Sequence, residues 1–240
     1  MAADVLLSVH KLSVAFEKRI VIRDLSFDVH RGETLAIIGP NGSGKTVLFK
    51  ALLGLIAYEG DIRWSPEARL GYVPQKISAD RQMPLLVRDL LKAKARFLKL
   101  PPGDIDAISD LIGLSPELLN AGIGVISGGQ FQKLLIAYAL LGKPNVLLFD
   151  EPTASLDELE EERIYELLEK LQRSQGLTIL LISHDLSVVH RRANLVLCLS
   201  KGKTCIGSPD KVLTKEILEA AYSAPQQYYR HLPTHLERQP

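Results

Sequence analysis

Two cysteines, Cys198 and Cys205, are all that 240 residues contain. One lies in an apolar stretch and the other in a turn-like one, so both are expected to be packing residues of a reducing compartment. That scarcity excludes a disulfide framework and a thiolate metal cluster. No excess of charge is present either: Lys+Arg number 29 against Asp+Glu 28, a net charge of +1. Without a broad basic surface, nucleic acid is not an expected partner. No apolar run approaches the roughly 20 residues of a membrane-spanning helix. Met1–His10 lacks the basic-then-apolar layout of a signal peptide. The expectation is a cytosolic chain for which any membrane role requires a partner.

What is present is concentrated in a few places. Gly39-Pro40-Asn41-Gly42-Ser43-Gly44-Lys45-Thr46 fits Gly, four free positions, then Gly-Lys-Ser/Thr. It follows the apolar run Thr34–Ile38, which reads as a buried strand, and precedes Val47–Leu55, which reads as a helix. Glycines permit backbone conformations that turn successive N–H groups inward around phosphate oxygens. The helix adds its free N–H groups and positive dipole end. Lys45 is placed to reach the β- and γ-phosphates, and Thr46 to ligate Mg²⁺. The pattern predicts a nucleoside triphosphate site.

Around it the texture changes along the chain. Val5–Leu35 alternates apolar and polar residues between turns at Glu17-Lys18-Arg19 and His30-Arg31-Gly32, which predicts short strands. Gly60–Trp64 and Leu70–Val73 read as two more, a short hairpin. Leu85–Leu100 and Ile105–Leu119 carry helical spacing, and so does Gln130–Leu141. From Asn145, strands (Val146–Phe149, Thr178–Ile182, Leu195–Leu199) alternate with helices (Leu159–Gln172, Leu186–Arg192), which implies a parallel sheet between helices. The segment after Ser223 is expected to be loosely ordered.

The strand Val146–Phe149 ends in Asp150-Glu151. Ligands of open α/β sheets bind beyond the carboxyl ends of strands. Asp150 is therefore a candidate Mg²⁺ ligand, and Glu151 a candidate base for the attacking water. Alone, two acids at a strand end are ordinary surface groups. A third element is Ile126-Ser127-Gly128-Gly129-Gln130, whose hydroxyl and glycine N–H groups open a helix.

With this element the chain resembles the ATP-binding-cassette (ABC) ATPases, whose signature Leu-Ser-Gly-Gly-Gln differs only at Ile126. The resemblance runs from about Val5 to Ser223 and implies several roles. Gln75, in Tyr72-Val73-Pro74-Gln75, would sense Mg²⁺ and the γ-phosphate. Asp157, in Ser155-Leu156-Asp157, would cross a dimer interface. His184 would contact the γ-phosphate. Phe16 stands where the family stacks an aromatic on adenine, usually tyrosine; a core strand aromatic is the alternative. Lys133 replaces a frequent arginine, altering a contact in the helical subdomain.

The fold implied is α/β: a phosphate-loop core with a mixed sheet, an N-terminal antiparallel β lobe and a helical insert at about residues 81–136. All of it falls within one domain, 1–225, followed by a tail, 226–240. The cofactors implied are ATP and Mg²⁺. The partners implied are a second cassette closing head to tail, integral-membrane permease subunits and a solute-binding protein, with the chain peripheral on the cytoplasmic face of the membrane. The Gly60–Leu70 hairpin, Gly71–Lys76, Leu195–Leu199 and Tyr228-Tyr229-Arg230-His231 resemble the zinc- and manganese-type metal-uptake ATPases. An iron-siderophore ATPase, a soluble cassette acting on ribosomes or DNA, and a GTPase or kinase stay open. Against the last stands the lack of an Asn-Lys-x-Asp run.

Overall fold

The computed structural model describes residues 4–17, 19–75, 84–101, 103–151, 156–200 and 203–222. In chain order these form β1 (Val5–Phe16), β2 (Arg19–His30), β3 (Thr34–Ile38), α1 (Lys45–Leu52), β4 (Glu59–Trp64) and β5 (Leu70–Val73). Four helices follow: α2 (Val87–Phe97), α3 (Gly103–Ile112), α4 (Pro116–Leu119) and α5 (Gly128–Leu140). The remainder is β6 (Val146–Asp150), α6 (Glu158–Gln175), β7 (Thr178–Ile182), α7 (Leu186–Arg192), β8 (Leu195–Ser200), β9 (Lys203–Gly207), α8 (Pro209–Val212) and α9 (Lys215–Tyr222). Lys76, Ser155 and the tail with Tyr228, His231 and His235 lie outside the described residues.

The chain forms two compact units. One contains His30–Gly32 and Trp64–Leu180, with the first residues described. Its strands are ordered β5-β6-β7, and β5 pairs parallel with β6, Tyr72 opposite Leu148. Every residue of β6 and β7 is buried, as the continuous apolar runs predict for strands covered on both faces. The helices α2 to α6 belong to this unit. Ile105–Leu119 is two helices rather than the one expected. Gly113 (φ 73) ends the first, and the Ser115 hydroxyl, accepting from Leu118 N–H at 3.3 Å, caps the second with Pro116 in its first turn.

The other unit holds Leu7–Val29, Glu33–Arg63 and the described residues from Leu181 on. A three-stranded sheet, order β2-β1-β4, carries the N-terminal segments, and β3-β8-β9 carries the rest. β1 and β2 are 12 residues each, longer than the short strands expected. Left-handed residues at Lys11 (φ 48) and Asp24 (φ 46) bend the ladder without ending it. The Ser26 and Ser13 hydroxyls accept from their N–H groups at 2.8 and 3.0 Å.

The expected hairpin is not formed: β4 lies in the three-stranded sheet, whereas β5 pairs with β6. Residues 65–69 are held instead by Asn145, whose side chain accepts from Arg69 N–H (2.7 Å) and donates to the Glu67 carbonyl (2.9 Å). Cys205 is not in a turn. It sits in β9 directly opposite Cys198 of β8. Burial first, then Cys205, pushes the Cys198 thiol up to about 12, so it stays protonated.

Candidate functional site

The phosphate loop leaves β3 and enters α1. Gly39 (φ 145) is there because a Cβ would stand 2.0 Å from the Leu199 carbonyl oxygen and 2.8 Å from Ser43 Oγ. Gly44 (φ 105) admits no side chain without meeting Val21 at 3.0 Å. Between them the Ser43 N–H donates to the Pro40 carbonyl at 3.1 Å and closes the loop. Asn41 and Gly42 are exposed, while Thr46 is half-buried.

Lys45 Nζ donates back to the carbonyls of Gly39 (2.8 Å) and Pro40 (3.3 Å), folding a buried cation into the loop. The N-cap of α1 is Gly44, which offers no side-chain cap, and no acid occupies the first turn. Ser43 Oγ is buried with no hydrogen-bond partner among the described residues. An orphaned hydroxyl, a cation and an uncapped helix N-terminus all fit a phosphate. Beside them opens a cavity of about 540 Å³, lined by Arg19, Arg23, Gly42, Ser43, Leu199 and Thr204. The sequence marks neither arginine as a site residue, because β2 carries no motif and Arg19 reads there as part of a turn.

Three more residues of this unit concern the site. Phe16 ends β1 and is 46% exposed, so it is not a core aromatic. His184 is exposed and follows Ser183, whose buried hydroxyl accepts from Asp185 N–H at 3.1 Å. Asp185 caps α7 through Ser187 and Val188 N–H (2.8 and 3.3 Å). Burial works to raise the Asp185 pKa, but these hydrogen bonds outweigh it and hold the carboxyl low. Tyr222, at the end of α9, accepts from Gly39 N–H at 3.0 Å. No local pattern marks it, since its partner is 183 positions away.

In the other unit the acidic strand, the glutamine and the signature are found. Asp150 is 1% exposed at the end of β6. Tyr72, on the neighbouring β5, has its hydroxyl pKa raised to about 12, by burial first and then by the Asp150 charge. Glu151 is left-handed (φ 45), a conformation costing a non-glycine residue about 1 kcal/mol or more. The Gln75 amide donates to its carboxylate, so the structure brings together two residues 76 positions apart. Hydroxyl, amide and carboxylate oxygens are the donors Mg²⁺ takes, and Thr46, Gln75 and Asp150 are of that chemistry.

Ser127-Gly128-Gly129-Gln130 opens α5 as a capping box. The Ser127 hydroxyl accepts from Gln130 N–H at 3.2 Å, and the Gln130 side chain accepts from Ser127 N–H at 2.9 Å. Ile126 is buried and anchors the turn. One turn further on, Lys133 pairs with Glu160 of α6 at 2.5 Å. Its ion pair is therefore made with α6. Asp157 caps the same helix, accepting from Glu160 N–H at 2.9 Å. The pair ties the signature helix to the helix that begins at Asp157.

Comparison with known proteins agrees with this arrangement. Residues 22–154 match the family model described as ABC transporter. A zinc import ATP-binding protein, ZnuC, of Cereibacter sphaeroides is 39% identical over 209 residues, 85% of this chain and 83% of the relative. The ZnuC of Chromohalobacter salexigens is 34% identical over 231 residues, 94% and 95% of the two chains. Among solved structures, one described as a metal-chelate type ABC transporter facing inward superposes with a TM-score of 0.80 at 30% identity, covering 91% of this chain and 89% of the other. The cbiO1 protein of Clostridium perfringens, part of the cbiONQ transporter complex, superposes at 0.73 with 28% identity, over 90% and 94%. Phosphate loop, acidic strand and signature thus sit on the fold that these relatives share, and the chain belongs to the ABC transporter family as an ATP-binding, ATP-hydrolysing subunit.

Proposed function

We propose that this chain hydrolyses ATP to drive zinc import, as one of two cassettes docked beneath separate permease subunits on the cytoplasmic face of the membrane. The observation that carries the ATP site is the uncapped N-terminus of α1, with Lys45 and the buried Ser43 hydroxyl around it. The loop N–H groups and Lys45 bind the β- and γ-phosphates, and Phe16 stacks on adenine. Thr46, Gln75 and Asp150 would hold Mg²⁺, which when bound offsets phosphate charge. Glu151, with the Gln75 amide against it, orients the attacking water and takes its proton; His184 contacts the γ-phosphate.

Ser127 and the N-terminus of α5 serve the site of the other copy, with Asp157 at the interface. A two-fold pair needs one such surface to complete both sites. Cleavage of the γ-phosphate removes the group that both copies hold, and the pair opens.

Zinc is supported by the ZnuC relatives, which match over most of their length. No helix among the described residues is long and apolar enough to cross a membrane, and none of their side chains form a cluster of three or more metal-binding groups. Selection of the ion therefore falls to the permease and a solute-binding protein. A chelated metal is the second reading, favoured by the metal-chelate type neighbour. The test is uptake by vesicles that contain the permease, the binding protein and this chain. Zinc uptake that needs ATP and disappears with Glu151→Gln supports the proposal. Uptake of a metal chelate, with free zinc excluded, transfers it to the second reading.

A further inference from the structure

The phosphate loop is gripped at its first residue by a side chain 183 positions away. Gly39 is buried, and both its polar groups are engaged. Its N–H donates to the Tyr222 hydroxyl at 3.0 Å, and its carbonyl accepts from Lys45 Nζ at 2.8 Å. Behind it, the Leu199 carbonyl and the Ser43 hydroxyl come so close that no Cβ fits. We propose that Tyr222 is a positioning residue for nucleotide binding: its hydroxyl fixes where the phosphate loop leaves β3 and so prepares the loop for ATP.

The ring is well placed to do this. Leu218 and Ala221 of α9 are buried in a cluster with Ala36 and Ile38 of β3 and Val196 and Cys198 of β8, and Tyr222 packs against it. The hydroxyl is thus referred to the same strands that carry the loop. A buried N–H without a partner is costly. Without the hydroxyl, the Gly39 peptide must turn toward water or toward another acceptor. The next peptide, Gly39–Pro40, whose carbonyl holds Lys45, hinges on the same Gly39 Cα and loses that fixed point. The loop then has to be reordered when phosphate arrives, and that ordering is subtracted from the binding energy. Loss should therefore fall on affinity more than on the chemical step.

This rests on the ATP-site reading above, and the experiment separates the two. The full-length chain and its Tyr222→Phe variant, which keeps the ring and removes only the oxygen, are titrated with a fluorescent ATP analogue. Steady-state hydrolysis and thermal melting are measured on the same samples. The proposal expects Kd and KM for ATP to rise roughly three- to tenfold, with kcat falling less than twofold. The melting temperature should drop by no more than about 4 °C, and the Gly39 amide should exchange faster with solvent. Unchanged Kd in a folded variant overturns the role of Tyr222 and leaves the ATP site standing. Loss of fold, or equal loss of affinity and kcat, makes Tyr222 a stability residue only and also overturns it. A parent chain that binds no nucleotide removes the ATP-site reading and this inference together.

Discussion

Two helices of this chain begin in glycine-rich loops, and their N-termini are finished in opposite ways. α1 is left open: Gly44 provides no cap, no acid stands in the first turn, and the buried Ser43 hydroxyl has no partner among the described residues. α5 is closed, because Ser127 and Gln130 satisfy each other's N–H groups in a capping box. An open terminus is a fold incomplete without an anion; a closed one is stable alone and offers only what its cap leaves over. The first therefore suits tight binding within one chain. The second suits a contact made late, when another surface brings the phosphate.

The sharpest break of this contrast is Lys45→Ala, which removes the cation of the open terminus. ATP hydrolysis should fall on the order of a hundred- to a thousandfold and nucleotide binding should fall with it, as phosphate release and equilibrium titration will read. Ser127→Arg attacks the closed terminus instead. Hydrolysis should be lost while the chain's own affinity for ATP stays within about threefold, less than one hydrogen bond is worth. Equal loss of both would mean that the two termini serve one site in one chain.

A smaller effect concerns stability. Ser127→Ala should cost about 1 kcal/mol in urea unfolding, the usual worth of an N-cap. Ser43→Ala should cost the nucleotide-free protein almost nothing, since its hydroxyl has no bond to lose, yet weaken ATP binding. If both destabilise alike, the loops are not finished differently.

The smallest effect is a pH dependence near α5. Lys94 of α2 donates to the Tyr138 carbonyl and lies 4.4 Å over its ring. Burial lowers its pKa to about 8, below the free lysine value of 10.5. Between those values the unfolded chain binds more protons, so this group adds stability as pH rises from about 8 toward 10.5. Melting curves of the parent and Lys94→Met should therefore draw in the parent's favour over that window. A constant gap would refute the shift.

How much of this could be read from the sequence depended on how local the cause was. β3, β5, β7 and α7 appear within the limits expected, because unbroken apolar runs or a caps-and-period pattern decide them. The split between α3 and α4 was written in Gly113 and Ser115-Pro116, and helical spacing on both sides masked it. The hairpin failed for another reason. Gly60–Trp64 and Leu70–Val73 look like partners in sequence, but β5 finds a buried parallel neighbour in β6, 76 positions later. β9, α8 and α9 were not foreseen, although Ser208-Pro209 is a helix start. At the site, residues in motifs were legible. Tyr222, Arg19 and Arg23 were not, since only tertiary folding brings them to the loop.

The left-handed backbone at Glu151 has a consequence for how this chain can evolve. Most L-residues are strained there, asparagine less than the others and glycine not at all. A library of variants screened for thermal resistance alone should drift at position 151 toward glycine or asparagine, while one screened for ATP turnover should retain glutamate. The most durable version of this protein and the most active one are therefore different sequences, and they part company at a single dihedral angle.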